Sequence, residues 1–107
     1  MRRGTTPVLS IKVKDADVND FGTIYVTFKQ GDKELTKING QFTVDTENNV
    51  INVPFTQEDT LLFDKGYVET ELRVILKDNT TVIASKIRKF PMEKVLLDGV
   101  INVIDED

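Results

Sequence analysis

Apolar and polar residues alternate with a period of two through most of the chain, which is the pattern of half-buried β-strands. In residues 7–14, for example, Leu9, Ile11 and Val13 share one face while a serine and two lysines share the other. The alternation predicts seven strands, in residues 7–14, 23–30, 33–38, 41–45, 50–55, 67–77 and 81–90. The apolar faces predict a core of Leu9, Ile11, Val13, Ile24, Val26, Phe28, Phe42, Val44, Ile51, Val53, Leu72, Val74 and Leu76.

Turn and capping residues separate these segments at intervals of 8–12 residues. Gly31-Asp32 and Asn39-Gly40 are typical of tight turns between antiparallel strands. Thr56 can cap the first turn of a helix, and the acidic residues that follow suit the positive end of that helix. Pro91 is expected to interrupt pairing after the last strand, because proline has no N–H to donate. Seven strands and one short helical turn predict an all-β sandwich of two sheets.

The composition strengthens the all-β prediction and removes several kinds of chemistry. Val, Ile and Thr together make up 34 of the 107 residues, against two Ala. β-Branched side chains favour strands, whereas alanine favours helices. The chain has neither Cys nor His, which excludes cysteine–histidine metal sites, serine or cysteine triads and imidazole acid–base catalysis.

The net charge and the length of the apolar segments limit the classes of partner that we expect. The formal net charge is −4, and the binding of nucleic acid needs a basic surface, so no nucleic-acid partner is expected. No apolar run approaches the ~18 residues that a membrane helix requires, so no membrane partner is expected either. No apolar stretch of the kind found in signal peptides follows Arg2 and Arg3, so we expect synthesis in the cytoplasm without a signal peptide.

Two groups of acidic residues are candidates for chemistry. Asp15, Asp17 and Asn19 begin like a calcium loop, but an EF-hand would then need a glycine at residue 20 and a glutamate at residue 26, where the chain has Asp and Val. A looser calcium site and a solvated loop both remain open, and we expect no strong metal binding. Glu69 and Glu71 share one strand face, as carboxylates for glycoside hydrolysis could, but we expect a solvated outer face, since Leu72 and Val74 mark the opposite face as buried.

Aromatic residues offer another candidate site. Tyr25 and Tyr67 together with Lys29 could form a platform for a ligand, whereas exposed tyrosines on strands are also ordinary. Tyr67 could instead make the corner hydrogen bond found near the start of a central strand in some sandwiches. We expect no catalytic residue and no cofactor.

The last stretch of the chain is unusually apolar for a terminus. Its Asp98-Gly99 pair fits a hairpin, while the apolar spacing also fits a helix, and the pattern does not choose between them. We interpret residues 95–107 as an assembly tail on a single domain spanning residues 1–107, with a lid or extra strand on its own domain as the alternative. The predicted protein-interface residues are Val95, Leu96, Leu97, Val100, Ile101, Val103 and Ile104.

A set of short segments resembles a known kind of protein. The segments are residues 3–7 (RGTTP), 25–30 (YVTFKQ), 56–60 (TQEDT), 71–74 (ELRV), 84–85 (AS) and 95–101 (VLLDGVI). In this order they resemble small proteins encoded in prophage tail modules of gut Firmicutes, and more distantly the Ig-like N-terminal domain of baseplate upper proteins of tailed phages. The resemblance spans nearly the whole chain, and its motifs are turns and strand cores.

The resemblance implies an Ig-like β-sandwich that assembles with other virion or baseplate proteins and carries no catalytic residue. On this basis we expect a non-enzymatic structural or adaptor component of a phage tail or baseplate, acting through contacts with other proteins or with further copies of itself. The alternative is a carbohydrate- or peptide-binding Ig-like module on a bacterial cell surface, which the missing signal sequence disfavours. Sandwiches of this kind serve many roles.

Overall fold

Two antiparallel sheets form the structure, a computed structural model that describes residues 1–85 and 87–93. The smaller sheet has three strands in the order β1-β5-β4, which are β1 (Val8–Lys12), β4 (Thr43–Asp45) and β5 (Val50–Pro54). The larger sheet has the order β3-β2-β6-β7, with β8 paired to a different part of β6. Its strands are β2 (Phe21–Gln30), β3 (Lys33–Ile38), β6 (Gly66–Leu76), β7 (Val82–Ala84) and β8 (Arg88–Met92).

The connections between the strands contain the remaining regular structure. A 3-10 turn (Val18–Asp20) precedes β2, and the helix α1 (Gln57–Leu62) lies between β5 and β6. The prediction of an all-β sandwich with one short helical turn is therefore confirmed. The described residues contain eight strands where seven were predicted, because the last predicted strand is split in two.

The core lies between the inner faces of the two sheets, as the alternation predicts. Phe28 on β2 is fully buried, and its ring meets the rings of Phe55 and Phe90 edge-on, with centroids 4.9 and 6.1 Å away. Edge-to-face pairs of this kind add to the stabilisation from burial. The buried apolar residues form one cluster, made of Val13, Val18, Phe21, Ile24, Val26, Phe28, Phe42, Ile51, Val53, Phe55, Phe63, Val68, Leu72, Val74 and Met92.

Four of the predicted core residues are not fully buried. Leu9 and Ile11 point inward but lie on β1, at the edge of the smaller sheet, so they are half-buried, as is Leu76 at the end of β6. Val44 was predicted to be buried and is 36% exposed. It lies on a three-residue edge strand, and such a strand is covered by neighbours on one side only.

The strand predicted over residues 81–90 is interrupted at Ser85. The Ser85 Oγ accepts a hydrogen bond from the Leu72 backbone N–H, and the Ser85 N–H donates to the Leu72 carbonyl. The side chain thus replaces one bond of the ladder, and pairing resumes as β8. The expected break at Pro91 is wrong, since Pro91 lies within β8 opposite Tyr67. Pro91 is compatible with this strand because its backbone polar groups face away from β6, where its carbonyl accepts a hydrogen bond from the Met1 ammonium at 3.0 Å and its nitrogen has no ladder bond to supply.

A bulge at Gly22 brings Phe21 into the core. The register between β2 and β6 shifts between Phe21 and Thr23, so that Phe21 and Ile24 both point inward although they are three residues apart. A Cβ at Gly22 would approach the Ile75 carbonyl oxygen to 3.0 Å, so glycine allows this close approach.

Hydrogen bonds satisfy the backbone at both ends of the short helix α1. Its capping box confirms Thr56 as the N-cap, since the Thr56 hydroxyl accepts from the Asp59 N–H and the Asp59 carboxylate accepts from the Thr56 N–H. At the other end of the helix, the Arg3 guanidinium donates to the carbonyls of Leu61 and Phe63 at 3.1 and 2.6 Å. Arginine at this position satisfies carbonyls that have no partner within the helix.

A buried ion pair joins α1 to the edge of the larger sheet. The Lys37 ammonium on the inner face of β3 donates to the Asp59 carboxylate at 2.7 Å, and their side chains are 9% and 16% exposed. The ammonium also lies 5.6 Å from the centroid of the Phe55 ring. Burial alone would raise the pKa of Asp59, but the hydrogen bonds from Lys37 and Thr56 outweigh it and hold that pKa below its usual range.

The core analysis predicts a contrast between two truncations. Phe28→Ala removes a fully buried ring with two aromatic neighbours, so we expect it to lower the free energy of unfolding by about 3–5 kcal/mol. Val44→Ala, at the exposed edge, should cost less than about 1 kcal/mol. Urea denaturation followed by circular dichroism measures both, and equal losses would mean that the burial pattern is wrong.

The ion pair predicts a specific dependence on pH. Because the pKa of Asp59 is lowered in the folded state, its contribution is present above the usual aspartate value of about 4 and is lost as the pH falls through the lowered pKa. Lys37→Met keeps the apolar stem but removes the ammonium, so the variant should be less stable at neutral pH and lose less stability in acid. Urea denaturation at about pH 7 and about pH 3 tests this, with Lys12→Met on exposed β1 as the control. A loss in acid as large as that of the unmodified protein would contradict the assigned role of the pair.

Candidate functional site

The outward side of the larger sheet carries both apolar and charged side chains. Because inward residues alternate with outward ones, the strands place a second set of side chains on this side. We call it the outer face, and its residues are Thr23, Tyr25, Thr27, Lys29, Glu34, Thr36, Ile38, Glu69, Glu71, Arg73, Ile75, Val82, Ala84 and Lys89.

The strand register arranges the outer face in rows that run across the strands. In the first, Tyr25 lies opposite Ile38 on one side and opposite Arg73 on the other, and Arg73 lies opposite Ala84. We call these four residues the tyrosine row. Beside it, toward one end of the sheet, Thr23, Ile75 and Val82 lie in register. This end of the outer face is therefore largely apolar, with one arginine.

Toward the other end of the sheet the rows become polar and then charged. Next to the tyrosine row come Thr36, Thr27 and Glu71, which we call the threonine row, with the two threonine hydroxyls hydrogen-bonded at 3.0 Å. The following row holds four alternating charges, which we call the charged row: Glu34, Lys29, Glu69 and Lys89. Opposite charges in register across a sheet stabilise the pairing of its strands.

A shallow depression of about 260 Å³ lies at the apolar end of the outer face. Tyr25, Thr27, Thr36, Arg73 and Val82 are among the residues that line it. Tyr25 is 38% exposed and Val82 is 54% exposed, and Ile38 next to Tyr25 is 46% exposed. Tyrosine and arginine beside exposed aliphatic residues are the composition of the centre of protein–protein interfaces, and the charged row would form the rim of such a patch.

The predicted platform of two tyrosines and a lysine is not assembled. Tyr25, Lys29 and Tyr67 do share the outward side of the sheet, but Tyr67 lies next to Pro91, beyond the charged row. Six residues of strand rise separate its level from that of Tyr25, which is roughly 20 Å. The alternative role of Tyr67 as a corner hydrogen-bonder finds no support among the described residues, since Tyr67 is 68% exposed and its hydroxyl has no hydrogen-bond partner there.

The paired carboxylates lie on this same face. Glu69 is in register between Lys29 and Lys89, and Glu71 is in register with Thr27. Thr70 between them points into the core, where its hydroxyl has no hydrogen-bond partner in the described part of the chain. Both carboxylates lie on the outward side of β6, as the prediction of a solvated outer face requires, and Glu69 is in register with two lysines.

The acidic loop before β2 uses its side chains to shape the backbone. The Asp17 carboxylate accepts hydrogen bonds from the backbone N–H and the side-chain amide of Asn19, both at 2.9 Å, and these bonds lower the pKa of Asp17. Asn49 holds the loop from the other side, with its amide donating to the carbonyls of Val13 and Ala16. Within residues 1–85 and 87–93, no three acidic side chains come together as a metal site would require.

A second depression, of about 300 Å³, opens at the end of the sandwich near this loop. Its lining includes Phe42, Val44, Asn39 and Lys77. The Asn39 amide is already used by β2, since it accepts from the Ile24 N–H and donates to the Gly22 carbonyl, both at 2.8 Å. The polar side chain of Asn39 in this depression therefore serves to hold the β3–β4 turn against β2.

The predicted interface residues of the C-terminal stretch lie outside the described residues. They are Val95, Leu96, Leu97, Val100, Ile101, Val103 and Ile104. Their role as an assembly tail stays a prediction.

Comparison with known proteins adds no relative. No family model, curated protein or solved structure matches the chain. Among the described residues, no helix has the length and apolar character needed to cross a membrane.

Proposed function

We propose that the chain is a non-enzymatic protein-interaction module, acting as a structural or adaptor component of a phage tail or baseplate. The observation that carries the interaction role is the outer face, where exposed Tyr25, Ile38 and Val82 surround Arg73 and a shallow depression. Such a patch suits a partner surface more than a small substrate, because it is broad and only slightly concave. The assignment to a phage particle rests on the sequence resemblance.

We also propose that the sandwich is Ig-like, and the order of its strands supports this. The chain crosses between the sheets after β1, β3 and β5, and it makes hairpins from β2 to β3, from β4 to β5 and from β6 to β7. With β1 taken as strand B of an Ig domain, the smaller sheet has the order B-E-D. The larger sheet then has the order C′-C-F-G. The outer face is in this scheme the exposed side of the C′-C-F-G sheet.

A second candidate function is the binding of a carbohydrate or peptide at the bacterial cell surface. The depression beside Tyr25 favours it, because an aromatic ring flanked by the hydroxyls of Thr27 and Thr36 and by Arg73 offers stacking and hydrogen bonds to a small polar ligand. Titration calorimetry with defined oligosaccharides and peptides separates the two functions. Saturable binding to one of them that is lost in Tyr25→Ala would favour this candidate.

The interaction role predicts that changes on the outer face reduce the binding of a neighbouring tail protein. We expect Tyr25→Ser with Val82→Ser to weaken pairwise co-purification with the product of an adjoining gene at least about tenfold, since hot-spot side chains contribute that much. Val8→Ser, at a 60% exposed valine of the smaller sheet, is the matched control and should retain binding. Retained binding in the outer-face variant would assign the contact to another surface. Failure of every such protein to bind would contradict the proposed role.

The assembly tail predicts a different phenotype. A chain that ends at residue 94 should keep the circular dichroism spectrum and melting temperature of the full chain but lose partner binding or self-association, because the apolar tail would dock on a neighbouring subunit. Light scattering after size-exclusion chromatography compares the two chains. Unfolding of the shortened chain would mean that residues 95–107 belong to the core of the domain.

A further inference from the structure

The charged row has a sequence of charges that matches its own reversal. Across the sheet it reads Glu34, Lys29, Glu69, Lys89, which is negative, positive, negative, positive. Read from the other edge, the same row is positive, negative, positive, negative. Two copies of this row that face each other in opposite directions therefore bring every charge against an opposite one.

One symmetry operation produces this arrangement. A two-fold axis that runs parallel to the strands, between β2 and β6, turns a second outer face over the first and reverses each row. Lys29 then faces Glu69 of the second copy, and Glu34 faces Lys89 of the second copy. Because the axis is two-fold, each of these contacts occurs twice.

The same axis also suits the neighbouring rows. It places Tyr25 over Arg73 of the second copy, which allows the guanidinium to stack on the ring. In the threonine row it places Thr27 over Glu71 of the second copy, so that a hydroxyl meets a carboxylate. A crossing angle of about 30°, which is usual for packed sheets, corresponds to a tilt of this axis by about 15° from the strands, and it shifts the edge strands by roughly one residue and the central strands by much less. The contacts of Tyr25, Lys29, Glu69 and Arg73, all on the central strands, are therefore the best preserved.

A two-fold axis across the strands is less favourable. If it passed through the threonine row, Glu69 would gain Arg73 of the second copy as a partner, but Glu71 would meet its own copy, which is a contact between like charges. Glu34 would then face Ile38, and Lys89 would face Ala84, so that two charges would lose water without gaining a partner. If it passed through the charged row, Lys29 would meet Lys29. The distribution of charge selects the axis parallel to the strands.

We propose that the outer face binds a second copy of this chain about the two-fold axis parallel to β2 and β6. The inference rests on the proposed function as a protein-interaction module and names the partner at the outer face. Four strands about 4.8 Å apart and seven residues of rise define a patch on the order of 500 Å² on each copy. This is at the lower end for specific interfaces, so the dimer forms and dissociates with concentration and weakens with added salt.

Complementary charge reversal tests the pairing. In a dimer of identical chains, the variant Lys29→Glu places a glutamate against Glu69 of the second copy, and Glu69→Lys places a lysine against Lys29 of the second copy. We expect each variant alone to raise the dimer dissociation constant by about tenfold or more, because the unfavourable contact occurs twice.

Mixing the two variants restores the opposite charges. In a dimer of one Lys29→Glu chain and one Glu69→Lys chain, the two substituted side chains face each other, as a carboxylate against an ammonium. The unchanged Glu69 of the first chain faces the unchanged Lys29 of the second. An equimolar mixture should therefore return to within about threefold of the dissociation constant of the unmodified chain.

Sedimentation equilibrium of the full chain at several concentrations measures these constants. Lys12→Glu, which makes the same change of charge on the smaller sheet, is the control and should dimerise as the unmodified chain does. Circular dichroism of each variant verifies the fold. Restoration on mixing identifies the contact as one between chains, because mixing leaves the charges within each chain unchanged.

Two results would overturn the inference. One is an unmodified chain that stays monomeric up to millimolar concentration, and the other is a mixture that dimerises no better than its components. Either result leaves the proposed function standing if a neighbouring tail protein still binds the chain and loses that binding in the Tyr25→Ser, Val82→Ser variant. Conversely, if the chain dimerises as described but binds no such protein, the proposed dimer stands and the assignment to a phage particle is wrong.

Discussion

The register between β2 and β6 is the constraint on which the rest of the molecule depends. These strands are the central pair of the larger sheet, and their pairing decides which side chains enter the core and which form the outer face. A slip of one residue would exchange the two sets, moving Val26 and Phe28 into water and Lys29 into the core. The bulge at Gly22 shifts this register by one residue at the start of β2, so that Phe21 also becomes part of the core.

The edges of the larger sheet are closed by polar groups. On β3 an inward lysine, Lys37, would weaken the core if it were unpaired, but Asp59 neutralises it and thereby positions α1. An inward charge on an edge strand also discourages pairing with strands of other molecules. On the opposite side of the sheet, Ser85 replaces one ladder bond with its hydroxyl, which divides the edge into two short strands. One edge thus carries an inward charge and the other is divided into short strands, so we consider the outer face the more suitable surface for a partner.

The structural features that could be predicted from the sequence are those that depend on residues close together in the chain. Period-two alternation locates the strands, and the residues around Thr56 locate the helix, because each of these patterns is complete within a few consecutive residues. The burial of Phe63 and Met92 was not predicted, because both residues lie outside the alternating segments. The burial of Lys37 was not predicted either, because a charge is buried only beside a partner, and its partner Asp59 is distant in sequence. In the candidate site, the register of Lys29 with Glu34 follows from the two-residue turn at Gly31-Asp32. The register of Tyr25 and Lys29 with β6 depends on pairing across forty residues or more, which no local pattern specifies.

The contact between the start of the chain and the end of β8 has a mechanical consequence. Met1 and Arg3 run parallel to this strand, with hydrogen bonds from Met1 to Pro91, from Glu93 to Met1 and from Arg3 to Glu93. When two parallel strands are pulled from opposite ends, all the bonds between them bear the force together in shear, whereas a hairpin pulled from its open end releases its bonds one at a time. Tension applied through residue 1 and the segment after residue 93 therefore meets this patch first. The Arg3 guanidinium connects this patch to the end of α1 through its hydrogen bonds to the carbonyls of Leu61 and Phe63.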